Sequence, residues 1–490
     1  MIKSENNNSP HKFISDPNKP AYLLMHEAIN EIRGPLIFLK PLPNPIYTGL
    51  LKINLANGEI RTAQIIDASE NAVVAQVFEG TYNLQRNNTM IIQEGSIFKL
   101  PVSEAMLGTP LNGIGQPLDN SIKLSPEIYL EVTSRPINPS ARDVPKYPIE
   151  TGIPAIDGMN TIVKGQKIPI FTSPGIPAEK LIVRIASYLI SQTKYDLKVV
   201  FGAMGITSRE GAYYIQQLGS MTGAENIAYF MNYIDDPSVE TILTPRCALT
   251  FAEYLAFDKG YDVLVILSDM LNYAQALRVI SAAREEIPGR RGYPGYLYTD
   301  MASIYERAGR IKGEKGSITQ VPIVTMPNND ITHPVPDLTG YSTEGQIVLS
   351  SNLYYKGINP PIDVNPSLSR LMNSGIGEGY TRYDHKAVSN QLYAIYSNGI
   401  HLRELTQITV EESLSELDKI YLEFADIFEQ VFVASAPKSI EETLDLGWKL
   451  LGLIPKKELN RIPEPILEKF YKESSFSEFR EGDKVERVKN

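Results

Sequence analysis

Cysteine and long apolar runs are scarce in this sequence, and each shortage excludes a class of protein. Cys247 is the single cysteine among 490 residues, so the chain cannot form an internal disulfide, and the count suits a reducing compartment. The 5 histidines are scattered without the spacing of a zinc site, so no metal site is expected. No stretch approaches the roughly 18 uninterrupted apolar residues of a membrane helix, so no membrane span is expected either.

Basic residues do not outnumber acidic ones, and this argues against one class of binding partner. The 47 basic residues are outnumbered by 57 acidic ones, which gives a formal net charge of −10. Broad nucleic-acid binding needs a basic face, so the charge balance argues against a nucleic-acid partner. What is present is an ordinary globular composition, 43% hydrophobic and 21% charged, in a chain long enough for roughly two to four domains.

The N-terminal part combines a polar tail with a strand-rich segment. Residues 1–25 are rich in Asn, Ser, Lys and Pro, which predicts a flexible tail. In residues 26–98, short runs alternate apolar with polar side chains, as at 51–55, and Asn57-Gly58 predicts a hairpin turn. Several short strands in one small segment predict a β-barrel domain.

Residues 99–372 alternate strand-like apolar runs with helical stretches such as 244–257. The runs are continuously apolar, which is typical of parallel strands buried on both faces, and they lie at 167–171, 197–201, 227–231 and 263–267. Strands that alternate with helices predict βαβ units. This segment is therefore expected to form an α/β domain with a mostly parallel sheet.

The last part of the chain is predicted to be helical. Apolar side chains recur every three or four residues in 414–431, which is typical of one face of a helix. Two pairs fit the spacing of a helix capping box: Thr409 with Glu412, and Ser439 with Glu442. We expect a helical domain at 373–475 and a disordered polar tail at 476–490.

An α/β nucleotide domain carries its phosphate loop after the first core strand, and that position is unusual here. The loop reads G-x-x-x-x-G-K-[ST]: backbone N–H groups cradle phosphates, the Lys neutralises them, and the hydroxyl holds Mg²⁺. This full pattern occurs nowhere in the chain. After the predicted strand 167–171, the sequence reads Thr-Ser-Pro-Gly-Ile-Pro-Ala-Glu at 172–179.

Aligned with that motif, residues 172–179 lack the groups that handle phosphate. Pro177 stands at the second glycine and removes a backbone donor. Ala178 replaces the lysine, and Glu179 replaces the hydroxyl, which puts negative charge where phosphate needs positive charge. From these residues alone, a degenerate phosphate loop and a loop that never bound phosphate are equally open.

A carboxylate after a second apolar strand bears on the same question. Residues 263–267 lead through Ser268 into Asp269, and an Asp at this position can hold Mg²⁺ through water in P-loop proteins. Buried strands often end in Asp without such a role, so a structural alternative stays open.

Several long segments carry a resemblance to a known family. Over about residues 34–471 the sequence resembles the B subunits of V-type rotary ATPases, the vacuolar and archaeal-type enzymes. The segments that carry the resemblance are 288–296 (PGRRGYPGY), 298–309, 331–347 (ITHPVPDLTGYSTEGQI) and 366–372 (PSLSRLM). Motifs of this length, in this order, are highly specific.

The resemblance implies a β-barrel domain, a P-loop-like (RecA-like) central domain and a helical domain, without hydrolytic chemistry of the chain's own. Catalytic subunits of the family carry the complete phosphate loop and a Glu that orients the attacking water. Ile206 stands at the position of that Glu and cannot act as an acid or base. The family's B subunits commonly have a Gly-Leu-Pro-His-Asn-Glu-like run where residues 175–180 stand, so the chain departs even from them. Four residues would represent its vestigial nucleotide site: Gly175, Ala178, Glu179 and Asp269.

The resemblance gives roles to two other segments. Arg370 falls at the position of the arginine finger, which projects into the catalytic site of a neighbouring A subunit and stabilises charge on the γ-phosphate. A structural arginine paired with a carboxylate is the alternative. Residues 288–295 correspond to a loop that faces the rotor, and an ordinary surface turn is the alternative. The centre of this loop is formed by Gly289, Arg290, Arg291 and Gly292.

The resemblance also implies partners and cofactors. Copies of this chain would alternate with catalytic A subunits in an A3B3 ring around the rotor subunits D and F, with E and G as the peripheral stalk. ATP or ADP would bind at the A–B interfaces, with Mg²⁺ held mainly by the partner. Hydrolysis would drive proton transport from the cytoplasmic side of vacuolar membranes. The alternatives are an autonomous divergent ATPase, a scaffold for cytoskeletal or metabolic proteins, and an archaeal or bacterial relative that carries Na⁺ or makes ATP.

Overall fold

The computed structural model describes residues 11–14, 22–26, 28–87, 89–133, 136–192, 196–406, 414–476 and 478–479. They form a β-barrel domain, a central α/β domain and a C-terminal helical domain, in that order along the chain. This is the fold class that the sequence predicts.

The N-terminal domain is an antiparallel β-barrel domain. Its strands are β1 (His11–Ile14), β2 (Tyr22–His26), β3 (Ile29–Arg33), β4 (Leu36–Leu39), β5 (Gly49–Asn54), β6 (Ile60–Ala68), β7 (Val73–Val77) and β8 (Met90–Ile97). Within the described residues, the sheet runs β1-β2-β8-β5-β6-β7-β4-β3. Alternation along β5 buries Leu51 and Ile53. The predicted turn at Asn57-Gly58 does join β5 to β6, and Gly58 has the positive φ of 86° that such a turn needs.

Two of these strands lie in the segment for which the sequence predicts a flexible tail. β1 pairs with β2, and β2 pairs with β8. Composition does not reveal this pairing, because backbone N–H and C=O groups of almost any residue can make a ladder. The rest of 1–25, and 476–490 apart from residues 476, 478 and 479, lie outside the described residues.

The central domain is built on a mostly parallel sheet. Its strands are β9 (Lys99–Val102), β10 (Pro110–Asn112), β11 (Ile128–Glu131), β12 (Arg142–Asp143), β13 (Pro148–Ile149), β14 (Ile162–Val163), β15 (Ile170–Thr172), β16 (Leu197–Ile206), β17 (Ile227–Tyr233), β18 (Asp262–Ser268), β19 (Gly309–Ile311), β20 (Ser317–Thr325), β21 (Gly345–Leu349) and β22 (Ile362–Ser369). Within the described residues, the strand order of the large sheet is β10-β17-β16-β18-β20-β15-β21-β22. Neighbouring strands are parallel as far as β21, and β22 is antiparallel to β21. Both faces are covered, which explains the unbroken apolar runs.

Helices of the central domain lie between these strands. They are α1 (Pro154–Asp157), α2 (Ala178–Ser191), α3 (Ser208–Gly219), α4 (Ser238–Glu253), α5 (Met270–Ala283), α6 (Leu297–Tyr305), α7 (Pro334–Ser342), α8 (Ser351–Tyr355) and α9 (Met372–Gly375). The strand predicted at 167–171 is shorter and later, at β15. Lys167 makes an isolated bridge to Gln320, and Pro169, which has no N–H to donate, interrupts the ladder before β15 begins.

The helical domain contains α10 (His385–Thr406), α11 (Glu416–Ile427), α12 (Ile440–Leu451) and α13 (Glu464–Phe470). The capping box predicted from Ser439 and Glu442 is present and begins α12. The pair Thr409 and Glu412 lies outside the described residues. Helix α11 begins with another capping box, in which the Ser415 hydroxyl accepts from the N–H of Asp418 at 3.2 Å.

Candidate functional site

The loop between β15 and α2 has the strand–loop–helix form of a phosphate loop. β15 lies between β20 and β21 inside the sheet, and α2 begins at Ala178. Gly175 is exposed, has a φ of 85°, and has no atom within 4 Å of the position that a Cβ would take. Pro177 stands at the N-cap of α2 without a side-chain cap bond, and it has no N–H to offer. The backbone shape is therefore present, but the donor at position 177 is missing.

The electrostatics of this loop oppose an anion. Glu179 lies in the first turn of α2, where burial raises the pKa of its carboxyl and the nearby Glu210 carboxylate raises it further. Lys180 and Arg209 act in the opposite direction. Ala178 is buried and supplies no charge. A triphosphate here would meet Ala178 where it needs a lysine and the Glu179 carboxylate where it needs a Mg²⁺-binding hydroxyl, so residues 174–179 do not fit a Mg²⁺-nucleotide.

Asp269 lies beside this loop as a structural cap. It is the N-cap of α5 and accepts from the N–H of Leu271 at 2.8 Å. Its carboxylate also accepts from the N–H of Thr325 on β20, at 3.2 Å to each oxygen, and from the Thr325 hydroxyl. Burial raises the pKa of Asp269 in spite of these bonds. Both oxygens are engaged by the protein, so this carboxylate is committed to joining β18, β20 and α5.

Ile206 ends β16 as part of the core. It is 5% exposed and packs in the cluster that contains α2 and β16. The chain then turns into α3 through a capping box of Thr207 and Glu210. An apolar side chain at this point can neither orient nor deprotonate a water.

Arg370 lies in a different environment at the end of β22. Its residue is exposed, its N–H donates to the carbonyl oxygen of Glu344 at 3.0 Å, and its Nη1 donates to that of Thr343 at 3.2 Å. Within the described part of the chain, Arg370 forms no ion pair. None of the described residues therefore offers the carboxylate that a paired structural arginine would need. The guanidinium keeps unused donors.

A cavity of about 440 Å³ opens beside Arg370, between β22 and the start of α10. Two cations line it, Arg370 and Lys386, together with the amides of Asn365, Asn390 and Gln346. None of the described residues that line the cavity carries a carboxylate. Sequence reasoning missed Lys386 and Asn390, because they come from the helical domain and only the packing of the two domains brings them to Arg370.

The loop at 288–295 is fixed by its own ion pairs. Arg291 adopts a φ of 53°, and its Nη2 lies 2.8 Å from Oδ2 of Asp330. Arg290 donates to the carbonyl of Thr332 at 3.0 Å. The Thr332 hydroxyl and Arg291 lower the pKa of Asp330 to about 2. Gly289 and Gly292 close the turn, with the N–H of Gly292 donating to the carbonyl of Gly289 at 3.2 Å.

Comparison with known proteins identifies the family. The model "ATP synthase alpha/beta family, beta-barrel domain" matches residues 29–95, and that of the family's nucleotide-binding domain matches 152–369. The C-terminal domain of V and A type ATP synthase matches 374–471. A solved structure of the ATP synthase subunit NeqB from Nanoarcheaum equitans is 42% identical, with a TM-score of 0.69 over 85% of this chain and 98% of that one.

The chain belongs to the ATP synthase alpha/beta family. Its C-terminal domain makes it a subunit of the V/A type. The family's nucleotide-binding domain supports ATP or ADP as ligand, and the family works in multi-subunit, ion-transporting ATP synthase complexes. In this V/A-type subunit, no helix of the described residues is long and apolar enough to cross a membrane.

Proposed function

We propose that this V/A-type subunit is the non-catalytic B subunit of a proton-translocating V-type ATPase. In this proposal it alternates with catalytic A subunits in an A3B3 ring around the rotor subunits D and F, and subunits E and G form the peripheral stalk. ATP or ADP binds at the A–B interfaces with Mg²⁺ held mainly by the partner. The complex stands on the cytoplasmic side of vacuolar or other endomembranes.

The observation that carries the proposal is the state of Arg370. The residue is exposed, its guanidinium has no carboxylate partner among the described residues, and it borders a cavity whose other charged lining residue is Lys386. An unpaired cation with its backbone fixed is suited to an anion that arrives from a neighbouring molecule. Residues 174–179 of the chain's own loop, in contrast, present carboxylate to such an anion.

The chemistry expected of Arg370 follows from phosphoryl transfer. Negative charge spreads over the γ-phosphate oxygens in the transition state, and a guanidinium supplied in trans stabilises it. The planar fork of arginine can donate two parallel hydrogen bonds to such oxygens. Arg370 would thus complete the A-subunit site, while Ile206 and residues 174–179 leave this chain without hydrolysis of its own.

The loop at 288–295 supports a rotor-facing role in the same proposal. Arg290 and Arg291 contact the segment 330–337 through exposed side chains. Ile287, next to the loop, is 90% exposed. A loop with an exposed apolar residue beside it offers a contact surface to a rotating stalk.

The test uses the head reconstituted with its catalytic partner. Arg370→Ala is expected to lower ATP turnover about 10³-fold or more, because the transition-state charge loses its cation. Assembly, followed by size-exclusion chromatography, should be unchanged. Arg86→Ala, at an exposed arginine of the barrel domain, is the matched control and should keep turnover.

Two rivals give different outcomes in the same experiment. Rapid ATP hydrolysis by the purified chain alone would support an autonomous ATPase and refute the proposal. Near-normal turnover of an assembled Arg370→Ala head would leave a scaffold role as the better account.

A further inference from the structure

Arg370 is held by the carbonyl groups of the two residues that precede β21. The main-chain N–H of Arg370 donates to the carbonyl of Glu344 at 3.0 Å, and its guanidinium donates to the carbonyl of Thr343 at 3.2 Å. Backbone and side chain of Arg370 therefore both depend on where residues 343 and 344 lie.

Glu344 is held from the other side by residues just before β15. Oε2 of Glu344 accepts from the N–H of Lys167 at 2.7 Å, and Oε1 lies 2.9 Å from the Lys167 ammonium. The N–H of Glu344 donates to the carbonyl of Lys167 at 2.8 Å. Gln166 Nε2 donates at 3.0 Å to the same Glu344 carbonyl that accepts from Arg370.

The contacts of Lys167 with Glu344, called the Lys167–Glu344 clamp below, are reinforced by the burial of Lys167. The residue is 4% exposed, and its ammonium lies 2.8 Å from Oε1 of Glu306 as well as beside Glu344. A buried ammonium is costly without carboxylate partners, so losing Glu344 leaves it underpaired. Packing next to Glu344 is equally tight: a Cβ on Gly345 would stand 2.1 Å from the carbonyl oxygen of Leu368.

We propose that Glu344, clamped by Lys167, is the positioning residue for Arg370. Its carbonyl holds the main-chain N–H of Arg370, and it does not line the cavity. The inference rests on the proposed role of Arg370 in trans. Displacing a catalytic group by about 1 Å can lower the rate on the order of 10²-fold. A contact that fixes the backbone of Arg370 should therefore affect the rate of ATP turnover.

The experiment measures kcat and KM for ATP in the reconstituted head. Glu344→Gln keeps the size of the side chain but removes its charge, and it is expected to lower kcat about tenfold with KM and assembly unchanged. Lys167→Arg, which keeps the cation, should retain more kcat than Lys167→Met. Glu306→Gln is the comparison variant: it removes the other partner of Lys167 but leaves Glu344 in place, and it should lower kcat less than Glu344→Gln does.

A double-mutant comparison separates positioning from general stability. If Glu344 acts through Arg370, adding Glu344→Gln to Arg370→Ala changes the residual kcat no further. Equal losses of kcat in Glu344→Gln and Glu306→Gln would overturn the inference, and so would an unchanged kcat in Glu344→Gln. Failure of the proposed function would look different, since Arg370→Ala alone would then keep its turnover.

Discussion

The ring nitrogen Nε2 of His385 lies 3.2 Å from the carbonyl oxygen of Gly158, and this hydrogen bond joins the first residue of α10, in the helical domain, to the central domain. The other ring nitrogen, Nδ1, lies 3.1 Å from the Thr381 hydroxyl. The ring is buried, and burial lowers its pKa to about 4. His385 is therefore neutral in the folded chain at neutral pH.

The acid stability of the chain should depend on His385. The unfolded-state pKa is about 6.5, so on acidification the unfolded chain takes up this proton first. The contribution of neutral His385 to the free energy of unfolding is complete above pH ~6.5. It is lost as the pH falls towards 4, by at most about 3 kcal/mol. Urea midpoints measured from pH 7.5 to 4.5 should fall less steeply for His385→Gln than for the natural chain. His401→Gln, at an exposed position of the same helix, should leave the slope as it is. Equal slopes for His385→Gln and the natural chain would contradict this.

The isolated chain should bind nucleotide poorly at its own loop. Ala178 and Pro177 leave the loop without the charge and the donor that phosphate needs, and Glu179 adds a negative charge, so we expect no saturable binding of a fluorescent ATP analogue below about 1 mM. The triple variant Pro177→Gly, Ala178→Lys, Glu179→Thr restores the second glycine, the lysine and the hydroxyl of the motif on an existing strand–loop–helix, and it should bind measurably more tightly. Glu179→Ala alone, which removes the charge but adds no cation, should gain less. Micromolar affinity in the natural chain would show that other residues hold the nucleotide.

The rotor-facing proposal can be tested with thiol chemistry, because the natural chain offers almost no background. Cys247 is fully buried, and burial raises the pKa of its thiol, so it should not react with maleimide. Ile287→Cys would place a thiol at a position that is 90% exposed, next to the loop at 288–295. Labelling should be fast in a ring without rotor and slow after the rotor subunits are added. Equally fast labelling with and without the rotor would assign the loop to an ordinary surface turn.

Local features of the chain could be read from the sequence because they depend on residues within one turn or one strand. The capping box of Ser439 and Glu442, the turn at Asn57-Gly58 and the parallel α/β pattern are of this kind. So is the chemistry missing from the loop after β15, since Pro177, Ala178 and Glu179 are adjacent. The strands β1 and β2 were missed, because ladder pairing leaves little trace in composition.

The environment of each site residue was decided only by tertiary structure. Asp269 ends a strand, as the sequence showed, but Thr325 of β20 engages its carboxylate. Arg370 was recognisable by its motif, but its seat on Glu344 and Lys167 exists because β15 and β21 are neighbours in the sheet. Strand order brings together residues that are far apart in the chain, and hydrophobic periodicity reports which face of an element is buried but not which element covers it. The sequence by itself therefore determined the elements and the missing phosphate chemistry, while the sheet order and the packing of α10 on β22 decided which charges surround Arg370.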